Sequence, residues 1–203
     1  MRKTLIALLG VLVICNFVAA QEAEEDTVQL AEPFREAYAG EDATGDHVIA
    51  LWQFDAGAET QDASGNGHDI ELKGAELVAE GKFGGALESW RGWPDEDAPH
   101  QAVIKNDPSL SPKGAFTIEM WIRPKPELNQ DYPDSFLLDK KYVADTDYQL
   151  VLGGPDRSGS RVLRACLGFG DGSSTWHSDP VKLQPDNWHH VAFTYDGQGT
   201  GSF

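Results

Sequence analysis

Three things are scarce in this 203-residue chain: cysteine, basic residues and any helical spacing of apolar side chains. Two cysteines, Cys15 and Cys166, cannot build a disulfide framework. Cys166 lies in the alternating run RVLRACLGFG and reads as a small core residue rather than a reactive thiol. Lys and Arg number 16 against 33 Asp and Glu, a formal charge of −17. Such a field repels nucleic acid and anionic membrane surfaces and attracts cations. There is no Gly-x-Ser-x-Gly elbow and no phosphate-cradling Gly-Lys-Ser/Thr loop. The histidines show no i, i+4 spacing and no Cys-x-x-Cys accompanies them, which argues against zinc.

Long apolar runs are also missing, with one exception at the start. Arg2 and Lys3 precede the run Leu5 to Val13, and Val18-Ala19-Ala20 stands before a polar Gln21. That layout predicts a signal peptide over residues 1–20, cut after Ala20. The apolar stretch is short for a span and Asn16 interrupts it, so no membrane insertion is expected after cleavage. Ile14 stands before Cys15, where lipid attachment needs a small residue. The mature chain would carry 14 basic and 33 acidic residues, a charge of −19. Residues 21–45 are acidic and Ala-rich and read as a linker, with one short helix expected near Val28 to Tyr38.

From Asp46 onward short β-rich runs recur between Gly, Pro, Asp and Asn clusters. The candidate strands are HVIALWQF, DIELKG, AELVA, GALESW, HQAVIK, FTIEMWIRP, SFLLDKKY, DYQLVLG, RVLRACLGF, STWHSD and WHHVAFTYD. In FTIEMWIRP, Phe116, Ile118, Met120 and Ile122 share one face, while Thr117, Glu119, Trp121 and Arg123 share the other. In WHHVAFTYD, Val191, Phe193 and Tyr195 share a face, and the adjacent His189 and His190 point apart. Half-buried strands favour antiparallel sheets, and many of them without helices between predict an all-β sandwich or barrel.

The set LWQFD, DASGNGHDIEL, GKFGGALE, FTIEMWIRP and NWHHVAFTYDG, in that order, resembles the laminin-G-like, concanavalin A-like lectin/glucanase jelly roll of exported bacterial proteins. The resemblance covers residues 46–203 and implies a jelly-roll sandwich of two antiparallel sheets. It also implies that the WHHVAFTYDG strand should be followed by a hairpin partner and further strands. Only Gly201, Ser202 and Phe203 remain, so the domain is expected to be incomplete at its C-terminus, as a fragment of a longer chain. Binding modules, adhesion domains and enzymes all use this fold, so the resemblance speaks to fold more than to function.

Two constellations carry the functional expectations. In the loop QDASGNGHD, Asp62, Asn66 and Asp69 offer oxygen ligands, Asp55 offers another, and Gly65 and Gly67 let carbonyls turn inward. Oxygen-only ligands suit Ca²⁺, and relatives on this fold often bind a structural calcium. The competing reading is a tight turn in which Asp62 and Ser64 cap local amides and Asn66 takes positive φ. The second constellation is the loop tryptophans Trp90, Trp93 and Trp176, whose indoles suit stacking on sugar rings; the alternative is that they plug the ends of the sandwich. Trp52, Trp121 and Trp188 fall within predicted strands and read as core or sheet-face residues. Glycoside hydrolases on this jelly roll carry Glu-x-Asp-x-x-Glu or a close variant on one strand, which this sequence lacks. The expectation is therefore an exported, non-catalytic module for an extracellular glycan or protein ligand, secreted, periplasmic or at the cell surface, with a structural calcium and a plain tight turn both open for the loop. An accessory domain of a larger secreted glycan-active enzyme, or a purely structural or adhesive domain, is the alternative.

Overall fold

A computed structural model describes residues 47–89, 101–126 and 134–203, together with the backbone of two short strands before them. The predicted signal peptide, the helix expected in the linker, and Trp90 and Trp93 lie outside the described residues. Those short strands, β1 (Tyr38–Ala39) and β2 (Asp42–Ala43), pair with each other inside the stretch read as a linker.

The remaining strands alternate, as their period-2 patterns require, and pair antiparallel throughout. β3 (Ile70–Lys73) pairs with β6 (Gln101–Ile104), and β4 (Glu76–Val78) with β5 (Ala86–Glu88). A three-stranded sheet has the order β13-β12-β7, from Gly201–Ser202, His189–Tyr195 and Phe116–Ile122. A four-stranded sheet has the order β11-β10-β9-β8, from Ser173–His177, Leu163–Phe169, Thr146–Leu152 and Ser135–Asp139. Among the described residues there is no α-helix; a short 3₁₀ turn stands at Pro108–Leu110.

The core lies between these last two sheets. From the four-stranded side come Leu150 and Leu152 of β9 and Leu163, Ala165 and Leu167 of β10. From the other side come Val191, Phe193 and Tyr195 of β12, with Phe116, Ile118, Met120 and Ile122 of β7 packed against them. Phe193 is 0% exposed and Leu150 1%. The register makes the layer continuous, because Leu150 faces Ala165, Leu152 faces Leu163 and Phe193 faces Ile118. The predicted faces of FTIEMWIRP and WHHVAFTYD are those observed. Burying such aromatic and aliphatic side chains contributes about 1.5–3 kcal/mol each.

HVIALWQF forms no strand. The Leu51 amide bonds to the Asp62 side chain at 2.9 Å, and the Leu51 carbonyl accepts from Ala63 at 2.7 Å. Phe54 then takes φ of 59°, which ends any extended run. The segment is tied to a loop rather than to a ladder.

Candidate functional site

The outward face of the four-stranded sheet follows from the core by alternation. If Leu150, Leu152, Leu163, Ala165, Leu167 and Trp176 point in, then Gln149, Val151, Arg164, Cys166, Thr175 and His177 point out. Register sets them in two rows across the strands. His177, Arg164, Val151 and Phe136 form one row, and Thr175, Cys166, Gln149 and Asp139 the next. Strands spaced about 4.8 Å apart make each row roughly 14 Å long.

All of these residues but Asp139 line a groove of about 370 Å³, walled by Phe136 and Asp134 at one edge and by Thr175 and His177 at the other. Val151, 3% exposed, closes its floor. Phe136 reaches the groove because of a β-bulge. Pairing slips between Phe136 and Leu138, so Phe136 opposes outward-facing Val151 while Leu138 opposes inward-facing Leu150. Phe136 as a residue is 42% exposed. Cys166 therefore stands on the groove floor, half-buried, and the reading of it as a core residue is corrected. It shares the face of Arg164, not that of Ala165 and Leu167.

Charge in the groove is concentrated in one pair. An Arg164 guanidinium N–H donates to Asp134 Oδ2, and the Gly154 amide donates to Asp134 Oδ1 at 3.3 Å. Gln149 Nε2 donates to Asp139 Oδ1 at 3.3 Å and to the Tyr142 carbonyl at 3.4 Å, which leaves its amide oxygen for the groove. Asp134 is the one carboxylate lining the groove among the described residues, and it is held by Arg164. Among the described residues, two carboxyls flanking a bond, which glycoside hydrolysis uses in both its retaining and inverting forms, are not part of this lining. What the arrangement can do is stack, accept and donate hydrogen bonds, and pair charge.

Trp176 is corrected. Its indole turns into the sandwich, with ring centroids 5.9 Å from Phe193 and 5.6 Å from Tyr195, so a sugar cannot stack on it from the groove. Its strand neighbours Thr175 and His177 occupy the outward positions instead. Trp121 is the sheet-face residue expected, on the outer side of the other sheet, with Phe83 at 5.9 Å, His190 at 5.1 Å and the Lys82 ammonium 4.6 Å from its ring. His189 and His190 do diverge. His189 Nε2 bonds with the Gln184 backbone, and His190 Nε2 lies 3.2 Å from Glu119.

The loop Gln61 to Asp69 is organised around Asp62, which is 7% exposed. Its Oδ1 accepts from the amides of Leu51 at 2.9 Å and Ser64 at 3.0 Å, and its Oδ2 from the amide of His68 at 3.1 Å. Burial pushes this carboxyl upward, but the hydrogen bonds from Leu51, Ser64 and His68 together outweigh it and hold the group below its ordinary value. Asp69 Oδ1 accepts from the Asp62 amide at 2.9 Å, and Asn66 Nδ2 donates to the carbonyls of Val48 and Ile49. Asp55 Oδ1 lies against Gly84. The positive φ falls on Gly65 and Gly67, at 83° and 80°, rather than on Asn66.

Calcium needs six to eight converging oxygens. Asp62 is surrounded by N–H donors instead, and among the described residues no three His, Cys, Asp or Glu side chains gather as a metal site would require. The four residues proposed as ligands do not fit a calcium cage as they stand, and the geometry is that of the braced turn. The loop is further pinned by His68, whose Nε2 lies 3.0 Å from Ser109 Oγ in the 3₁₀ turn. Ser109 Oγ donates to Asp107, so in that contact His68 Nε2 is the donor.

A two-sheet antiparallel sandwich with an open, mixed polar and aromatic groove across one sheet has the architecture of a lectin-like domain. The Laminin_G_3 family, described as the concanavalin A-like lectin/glucanases superfamily, matches residues 97–203, just over half of the chain, and the chain belongs to it. The match takes in every strand that lines the groove, whereas LWQFD, DASGNGHDIEL and GKFGGALE lie before it. No curated protein and no solved structure matches the chain. Among the described residues, no helix is long and apolar enough to cross a membrane.

Proposed function

We propose that this chain is an exported, non-catalytic recognition module that binds an extracellular glycan across the outer face of β8 to β11. The observation that carries the reading is the exposed Phe136 ring set in the same row as Arg164 and His177, over a floor of Val151 and Cys166. Sugar rings present apolar C–H faces to an aromatic ring and hydroxyls to polar neighbours, and this row offers both. The superfamily supports a carbohydrate-binding type of module. Export rests on the leader over residues 1–20.

The test is a glycan array probed with the full chain, followed by titration of the hits. Phe136→Ala should abolish binding in protein whose folding is confirmed by a cooperative urea transition, and Phe136→Trp should retain binding. An array without a single glycan hit would count against the reading. So would a Phe136→Ala protein that binds as well as wild type.

A further inference from the structure

The one guanidinium that lines the groove among the described residues has N–H donors to spare, and this selects among glycans. A guanidinium carries five N–H donors and no acceptor. Arg164 uses one of them on Asp134. Its remaining donors, His177 opposite it on β11, and the Thr175 hydroxyl have no other partner among the described residues. Of the acceptors, Asp134 already receives Arg164 and the Gly154 amide. The Gln149 amide oxygen, the Thr175 hydroxyl oxygen, an imidazole nitrogen and the lone pairs Asp134 has left are what remain.

Neutral sugar hydroxyls donate as often as they accept, so they make only partial use of a group that only donates. A carboxylate only accepts, and it matches the planar fork of a guanidinium with two parallel bonds. On a chain of charge −17, the Arg164 guanidinium is, among the described residues, the one Lys or Arg cation in the lining, which makes the preference one of position and not of overall attraction. The Arg164–Asp134 pair is partly solvent-exposed, each side chain at 36%, so exchanging one carboxylate for another is not strongly opposed.

We propose that the groove selects glycans bearing a carboxylate, that is uronic-acid oligosaccharides, with Arg164 taking the acid group and Asp134 occupying that place in the free protein. This rests on the glycan-binding reading of the same groove.

The experiment presents the full chain with oligosaccharides of galacturonate, glucuronate and mannuronate, each beside its carboxyl-reduced twin. Acid members should bind about tenfold or more tightly than their twins, as loss of a charge-assisted bidentate contact implies. Raising the salt concentration should narrow that gap. Arg164→Gln should erase the preference and Arg164→Lys should keep part of it. Asp134→Asn removes the internal competitor and should tighten binding of acid members only. Equal binding of reduced twins, or weaker acid binding by Asp134→Asn, would overturn the acid preference and leave the glycan reading standing. Binding to neither acid nor neutral members would overturn both.

Discussion

Replacing Asp62 by alanine removes one carboxylate and strands three backbone amides, those of Leu51, Ser64 and His68. An orphaned buried donor costs about 1–3 kcal/mol. The His68 bond is buried while the other two are partly so, and water can reach those two, so the sum should be about 3 kcal/mol rather than the upper limit. Asp62→Asn is the sharper probe. Its oxygen can still receive Leu51 and Ser64, but its NH₂ then faces the His68 N–H, and the loss should be about 2 kcal/mol. Urea unfolding followed by tryptophan fluorescence suits the measurement, because the Trp52 indole donates to the His68 carbonyl at 2.7 Å on the same loop. The folded Asp62 pKa is depressed. Its stabilisation is thus complete above the unfolded value of about 4 and is lost as pH falls through the lower folded value. Asp62→Asn should lack that part of the acid response. An asparagine variant within about 0.5 kcal/mol of wild type, the range of an ordinary surface change, with the same acid dependence, would refute the account of the loop as a carboxylate-braced turn.

Other outcomes follow from the same geometry. Calcium or EDTA should leave the melting temperature unchanged, since the Asp62 carboxylate is satisfied by amides; a rise with calcium would mean that the loop releases those amides to a metal. A Cβ on Gly201 would come within 2.7 Å of Phe193 Cε2 and 2.8 Å of Trp176 Cγ, so Gly201→Ala should cost about 1–3 kcal/mol in urea unfolding. Cys166 should react with a small thiol reagent in the folded protein, and a bound glycan should slow that reaction. A thiol that reacts only after unfolding would return it to the core.

Most of the strands were legible because one face of each is wet. In RVLRACLGF, Leu163, Ala165 and Leu167 alternate with polar or small residues, and such a pattern admits one register against a core. HVIALWQF misled for a local reason. Its apolar content is that of a strand, but its backbone partners are the Asp62 side chain and the Ala63 amide, and nothing in the run itself signals the positive φ at Phe54. The loop after it was legible as a polar cluster and not as a choice between metal and turn. That choice depends on whether carboxylates meet amides or open space, which is a matter of tertiary placement.

The groove does not show as a cluster of reactive residue types in a loop, because a sheet site is assembled from every second residue of several strands. The phase was nevertheless available. Cys166 shares the parity of Arg164, so a rule that buries Ala165 and Leu167 must turn Cys166 outward. STWHSD yields to the same rule: a single aromatic between Thr175 and His177 is the inward residue, and its neighbours are the ones that can meet a ligand. Pairing these strands through their short connections then aligns Thr175, Cys166 and Gln149, and likewise His177, Arg164 and Val151, without any knowledge of the ligand. Alternation could not supply the bulge. Strict period 2 puts Phe136 and Leu138 on one face, and either the groove would lose its aromatic ring or the core would lose a leucine; one extra residue in β8 gives each its own side.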